Sequence, residues 1–110
     1  MPVLKHLLLL PLPLAIAACS PPPDAIPDLG GQCDNAQHYD INFTRFDETA
    51  QQIAHGTGCF IEADLSELGA IKPNPVKGKL RVREAVRMAI KDTPLKIIDE
   101  KPDRIKVGKR

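Results

Sequence analysis

A chain of 110 residues with 43% apolar side chains has room for one domain, and this composition excludes wholesale disorder. Three Phe, one Tyr and no Trp predict a small, aliphatic core. The net charge of +1 hides an uneven distribution, with one cation and nine carboxylates over residues 20–71 but thirteen cations and five carboxylates over residues 72–110. The two halves therefore either pack together or form a bipolar surface that orients the domain against a partner.

Residues 1–18 are predicted to be a secretory signal peptide. Lys5 precedes an apolar run over residues 7–16 that is too short to span a bilayer as a helix. The run closes with Ile-Ala-Ala-Cys, which resembles a bacterial lipobox and implies that Cys19 is lipidated, as in palmitate-bearing lipoproteins. Because Ser20 rather than Asp follows, the resemblance implies anchoring at the periplasmic face of the outer membrane. The alternative is an ordinary signal that leaves Cys19 as a free thiol.

Residues 19–32 form the lipidated Cys and a tether rich in Pro and Gly. The segment lacks an apolar period, and its prolines remove backbone donors, so regular secondary structure is not expected. If fully extended, it would reach on the order of 30 to 40 Å at about 3.1 Å per residue. A spacer is the simpler interpretation, and a docking peptide for another protein is the alternative.

Two cysteines remain once Cys19 carries lipid. An even number in an oxidising compartment predicts a disulfide between Cys33 and Cys59. The alternative is a zinc site in which His38 and His55 complete a tetrahedral shell. The spacing is unlike that of paired C-x-x-C knuckles, so no metal or other cofactor is assigned to the chain.

Residues 39–64 read as a strand, a helix and a strand. Residues 39–43 alternate apolar and polar side chains, as in a half-buried strand with Phe43 on its inner face. Apolar residues then recur at helical spacing from Phe46 to Ala54, Gly56 and Gly58 allow the chain to reverse, and residues 59–64 form a second strand. The unit is long enough for a crossover, and the rest of the chain must complete its core.

The second half of the chain repeats this order. After a helical turn or loop at residues 65–69, residues 76–80 alternate as a short strand. Residues 82–90 carry the strongest helical apolar stripe, which leaves Arg83, Arg87 and Lys91 outside it, although the usual N-terminal cap is missing. Residues 95–99 and 104–107 then alternate as strands around a hairpin turn. The predicted class is therefore α+β, with order βαββαββ and two helices against small mixed sheets.

From residue 33 to 110 the chain resembles the short domain at the N-termini of secretins and TonB-dependent receptors, known as STN or N0. The resemblance rests on YDI at 39–41, IAHGTG at 53–58, EADL at 62–65, VKGKL at 76–80, EAV at 84–86 and IKDTPL at 90–95. These motifs mark turns and core positions, so they imply a fold rather than catalysis. As a free-standing lipidated copy, the chain is similar to small lipoproteins of some type IV secretion systems, which implies a docking role.

Three functions follow from these expectations. The first is a docking subunit of an envelope transport or secretion complex, which contacts its partners by strand addition or by a basic face formed by Arg83, Arg87 and Lys91. The second is a periplasmic signal relay of the TonB-receptor type, and the third is a binder of a small envelope ligand. Catalysis is not expected, because His38 and His55 are the plausible bases of the mature chain and each is predicted at the surface. Nucleic acid is a poor partner, because aromatic residues do not alternate with the cations.

Overall fold

The computed structural model describes residues 25–110. The predicted signal peptide, Cys19 and the first part of the tether lie outside the described residues. The elements are, in chain order, β1 (Ala36–Ile41), α1 (Phe46–Ala54), β2 (Phe60–Glu62), α2 (Leu65–Leu68), β3 (Val76–Arg81), α3 (Val82–Ile90), β4 (Leu95–Lys101) and β5 (Arg104–Lys109). This confirms the α+β class, with the predicted helical turn present as the single-turn helix α2. Within residues 25–110 every helix is too short or too polar to cross a membrane.

The strands form two small sheets rather than one. β1 pairs with β3 in antiparallel register from Ala36 opposite Arg81 to Ile41 opposite Val76. The second sheet has the order β2-β5-β4, in which β2 runs parallel and β4 antiparallel to β5. The expectation of a crossover unit is therefore corrected, because β1 and β2 flank α1 but belong to different sheets.

The first strand also ends earlier than predicted. Tyr39 and Ile41 are buried as expected, whereas Phe43 lies beyond the strand and is exposed. The reason lies in the partner strand, since Ile41 pairs with Val76 and the residue before it is Pro75. Proline has no backbone N–H to continue the ladder, so pairing stops there and Phe43 has no strand partner.

The core lies where α1 and α3 meet the inner faces of both sheets. The apolar stripe of α3 is buried along its whole length, and α1 buries Phe46 and Ile53. The sheets contribute Tyr39 and Val76 from one side and Ile105 from the other. The Tyr39 hydroxyl donates to the carbonyl oxygen of Ile53 at 3.0 Å, which fixes the end of α1 against β1. Two helices thus hold together two sheets that share no strand.

Candidate functional site

A disulfide joins Cys33 to Cys59, as the cysteine count predicted. Cys33 lies in a short 3₁₀ helix (Gln32–Asp34) before β1, and Cys59 immediately precedes β2, so the bond links the start of the folded body to the second sheet. Both sulfurs of the alternative zinc shell are therefore bonded to each other. His38 and His55, its other proposed ligands, are exposed. Across residues 25–110 no group of three or more His, Cys, Asp and Glu side chains is close enough to hold a metal ion.

Arg83 is not part of an exposed face, which corrects its placement among the basic residues outside the α3 stripe. Its side chain is 0% exposed, and its guanidinium is surrounded by acceptors. Nε donates to Asp34 Oδ1 at 2.9 Å, and Nη1 lies 3.3 Å from Glu100 Oε1. Nη2 donates to the carbonyl oxygens of Lys101 and Pro102 at 2.7 and 3.2 Å. Arg83 thus ties α3 to the 3₁₀ helix and to the β4–β5 turn, and it presents no charge to a partner.

The same cluster explains how α3 begins without a conventional cap. Arg81 is the residue before the helix, and its backbone N–H donates to Glu84 Oε1 at 2.8 Å. Its guanidinium lies 2.7 Å from Asp34 Oδ1 and 3.6 Å from Glu84 Oε1. Two carboxylates therefore offset the two arginines at the positive end of the helix dipole. Asp34, which lies 47 residues upstream of Arg81, is thus one of the two anions at this helix end.

Asp34 is the electrostatic centre of this cluster. Burial alone raises the pKa of its carboxyl, but hydrogen bonds from Arg83, from the Leu29 N–H and from Arg81 outweigh that effect. The pKa of Asp34 falls from 3.8 to about 2. The pKa of Glu100 is also lowered, since the hydrogen bonds and charges of Arg87 and Arg83 outweigh the opposing effect of burial. Both carboxylates are therefore held ionised by the arginines of α3.

Arg87 and Lys91 stay at the surface of α3. Arg87 is partly exposed and forms a two-point ion pair with Glu100, at 3.1 and 2.7 Å. Lys91 is exposed at the end of the helix. Both border an open cavity of about 590 Å³ that also contacts Ile26 of the N-terminal segment and the exposed Met88. Two of the three predicted partner-binding residues are therefore close together, but Arg87 is already paired within the chain.

Sequence reasoning did not identify a second open cavity, which we call the β2 groove. It has a volume of about 510 Å³ and runs between α1 and the segment from β2 to α2. Its apolar lining consists of Ala50, Ala54, Phe60, Ile61, Ala63 and Leu65. Phe60 and Leu65 are 56% and 46% exposed, so two large apolar side chains face solvent at one site. The sequence feature that could have indicated this groove is Phe60. Successive side chains of a strand point to opposite faces, so burial of Cys59 and partial burial of Ile61 place Phe60 on the outer face.

Two of the four polar residues that border the β2 groove are acidic, and the other two are Gln51 and His55. Asp47 and Glu48 contribute carboxylates from the first turn of α1, and His55 lies at the end of the same helix. Arg45 pairs with Asp47 at 2.9 Å, and the Asp47 pKa is lowered first by that hydrogen bond. In the described part of the chain Glu48 belongs to no salt bridge, but Arg45, which pairs with Asp47, also interacts with it electrostatically.

Arg104 covers one side of the exposed aromatic ring in the β2 groove. Its guanidinium carbon lies 5.4 Å from the centroid of Phe60, and its Nη1 lies 3.1 Å from Glu62 Oε1. The ring is therefore held in place by a cation on a neighbouring strand while more than half of its surface remains open. A fixed aromatic side chain of this kind suits contact with another apolar surface.

Comparison of this chain with protein-family models, with curated proteins and with solved structures gives no match.

Proposed function

We propose that this chain is a lipoprotein anchored at the periplasmic face of the outer membrane through Cys19, where it serves as a protein–protein docking module of an envelope transport or secretion complex. The resemblance to STN or N0 domains suggests the class of complex, and the lipobox suggests the anchor. The disulfide between Cys33 and Cys59 supports an oxidising compartment.

The β2 groove is the observation that carries the docking role. Leu29, Phe43, Met88 and Ile98 are also exposed, but Phe60 and Leu65 line one cavity together, beside small alanines. Large apolar side chains left exposed around one cavity mark contact sites in proteins of this size. The groove is open, with a lining suited to side chains of another polypeptide.

Cross-linking in intact cells tests this function. The full chain, isolated under denaturing conditions after cross-linking, is expected to carry at least one other envelope protein in reproducible yield. A reagent that does not enter the envelope serves as the control. Recovery of the chain with no cross-linked protein, at several reagent lengths, would contradict the docking role.

A further inference from the structure

The two edges of the three-stranded sheet differ in their accessibility to another strand. β4 forms one edge, and it carries a register irregularity between Ile97 and Asp99 together with Lys96 and Lys101 at the surface. Bulges and lysines on an edge strand discourage pairing with another chain. β2 forms the other edge; it carries neither a register irregularity nor a lysine, and its three-residue length is what limits pairing there to a short segment. The β2 edge is thus the one left open to strand addition.

The β2 groove lies beside this open edge rather than on either face of the sheet. Successive residues of a strand point to opposite faces. Phe60 and Ile61 are successive, yet both line the groove, so the groove reaches around the side of β2. An incoming strand in this position would contact Phe60 on the outer face and Ile61 and Ala63 on the inner side.

The backbone of Ile61 is directed toward the groove. The Phe60 N–H donates to the carbonyl oxygen of Asp103 at 2.9 Å, so the polar groups of Phe60 face the β5 side. Because these groups alternate in direction along a strand, the N–H and C=O of Ile61 point away from β5. Among residues 25–110 Ile61 takes part in no backbone hydrogen bond outside the regular ladders. One donor and one acceptor are therefore available to a partner strand.

Charge at the groove favours a basic partner. Asp47 and Glu48 line it, whereas Asp64 and Glu67 line a different cavity that also contains Lys106 and Lys109. Three cations nearby are paired within the chain, Arg45 with Asp47 and both Arg104 and Lys106 with Glu62. An occupant with apolar side chains on one side and lysine or arginine on the other would match both the lining and the border.

We infer that the β2 groove binds an extended basic segment of a partner protein, which adds to β2 as a further strand of the β2-β5-β4 sheet. The inference rests on the proposed docking function and names its site and the chemistry of its occupant. Phe60 and Leu65 receive the apolar side chains of the segment, Ile61 shares its backbone hydrogen bonds, and Glu48 attracts its cations.

A short capped peptide of alternating valine and lysine is the probe, added to the full chain and followed by amide NMR shifts. We expect saturable shifts centred on residues 60–65 and on the facing side of α1, with affinity that falls as salt is raised. The same peptide with glutamate in place of lysine is the charge control, and it is expected to bind at least about tenfold more weakly. Equal affinity for the two peptides, or shifts centred on Met88, would overturn the inference.

Matched variants distinguish binding in the β2 groove from non-specific binding to exposed apolar side chains. Phe60→Ala is expected to weaken peptide binding at least about tenfold, whereas Ile98→Ala, which removes a similarly exposed side chain on the other edge strand, is expected to leave it within about twofold. Ile61→Pro removes the outward N–H and is compared with Ile61→Ala, which keeps it, after both are checked for an intact disulfide and native unfolding. Equal binding by those two variants would overturn strand addition.

Photo-cross-linking in intact cells relates the probe to the natural partner. A photoreactive residue at position 60 is expected to capture a partner peptide that contains lysine or arginine. Photoreactive residues at positions 88 and 98 are the controls. Adducts with a second copy of this chain, or adducts at positions 88 or 98 without any at 60, would overturn the groove assignment while the docking function stands. Absence of adducts at all three positions would contradict the docking function itself.

Discussion

Arg83 Nε lies 2.9 Å from Asp34 Oδ1, and this ion pair connects α3 to the residue that follows the disulfide cysteine Cys33. Asp34 is nearly buried and Arg83 is fully buried, so water screens the pair very little. The remaining donors of Arg83 reach Glu100 and the β4–β5 turn. A single side chain therefore joins three segments that are distant in sequence.

Replacing Arg83 with methionine should destabilise the domain by about 2 to 4 kcal/mol, because Asp34 keeps Arg81 as its remaining cation but loses a buried hydrogen-bond donor. Two turn carbonyls also lose their donor. Urea unfolding of the oxidised protein measures the change. Lys91→Met is the matched control on the same helix, and it should cost less than about 0.5 kcal/mol because Lys91 is exposed. Similar losses for the two variants would contradict the structural role of Arg83.

Stability should fall in acid because of the same cluster. The folded-state pKa of Asp34 is depressed to about 2 from 3.8, so its contribution is fully present above 3.8 and is lost as pH falls toward 2. Glu100 acts in the same direction below its ordinary value of 4.5. The urea concentration at the midpoint of unfolding should therefore be lower at each pH in this interval than at neutral pH, and it should fall as the pH is lowered.

Asp34→Asn is the variant that isolates this effect. It should be less stable than the native chain at neutral pH, since Arg83 and Arg81 lose their anion. It should also show a shallower decline between pH 3.8 and about 2, because the titrating group is gone. If the urea midpoints of the native chain and of the variant fall by the same amount over this pH interval, groups other than Asp34 cause the loss of stability in acid.

The disulfide should account for a large part of the stability of so small a domain. Cys33 and Cys59 are 26 residues apart, and closing a loop of that length is worth about 3 to 4 kcal/mol in the chain-entropy model. The double variant Cys33→Ser, Cys59→Ser should lose about that amount in urea unfolding. Cys19→Ser should lose none. Thiol titration of unfolded native protein should reveal two additional thiols after reduction, and their presence before reduction would contradict the bond.

The elements of this fold follow from local pattern, and their pairing does not. The α3 stripe from Val82 to Ile90 predicts a helix with the same bounds as in the structure, because a helical period depends only on residues three and four positions apart. β1 pairs with β3 rather than with β2. The choice of partner strand depends on which hydrogen-bonding edges meet in the folded chain, and the period of apolar residues does not predict it.

The candidate sites were harder to predict for the same reason. Arg83 lies outside the apolar stripe and reads as a surface residue, yet Asp34 and the β4–β5 turn converge on it from other parts of the chain. The β2 groove depends on β2 being an edge strand, which only the sheet order reveals. The disulfide could be predicted because the cysteine number and the expected oxidising compartment leave one pairing if Cys19 carries lipid, as the lipobox resemblance implies.

The predicted anchor is testable apart from the domain. Native chain should sediment with outer membranes and have a mature N-terminus at Cys19 whose mass includes acyl chains, since several chains are needed for stable anchoring. Cys19→Ser should abolish acylation and the associated mass. Cys33→Ser, Cys59→Ser is the matched control, because it removes two thiols but leaves the lipobox intact, and it should stay with the membrane. Native chain found in the soluble periplasmic fraction with a free thiol at Cys19 would favour an ordinary signal peptide. In that case the domain that carries the β2 groove would not be tethered to the membrane.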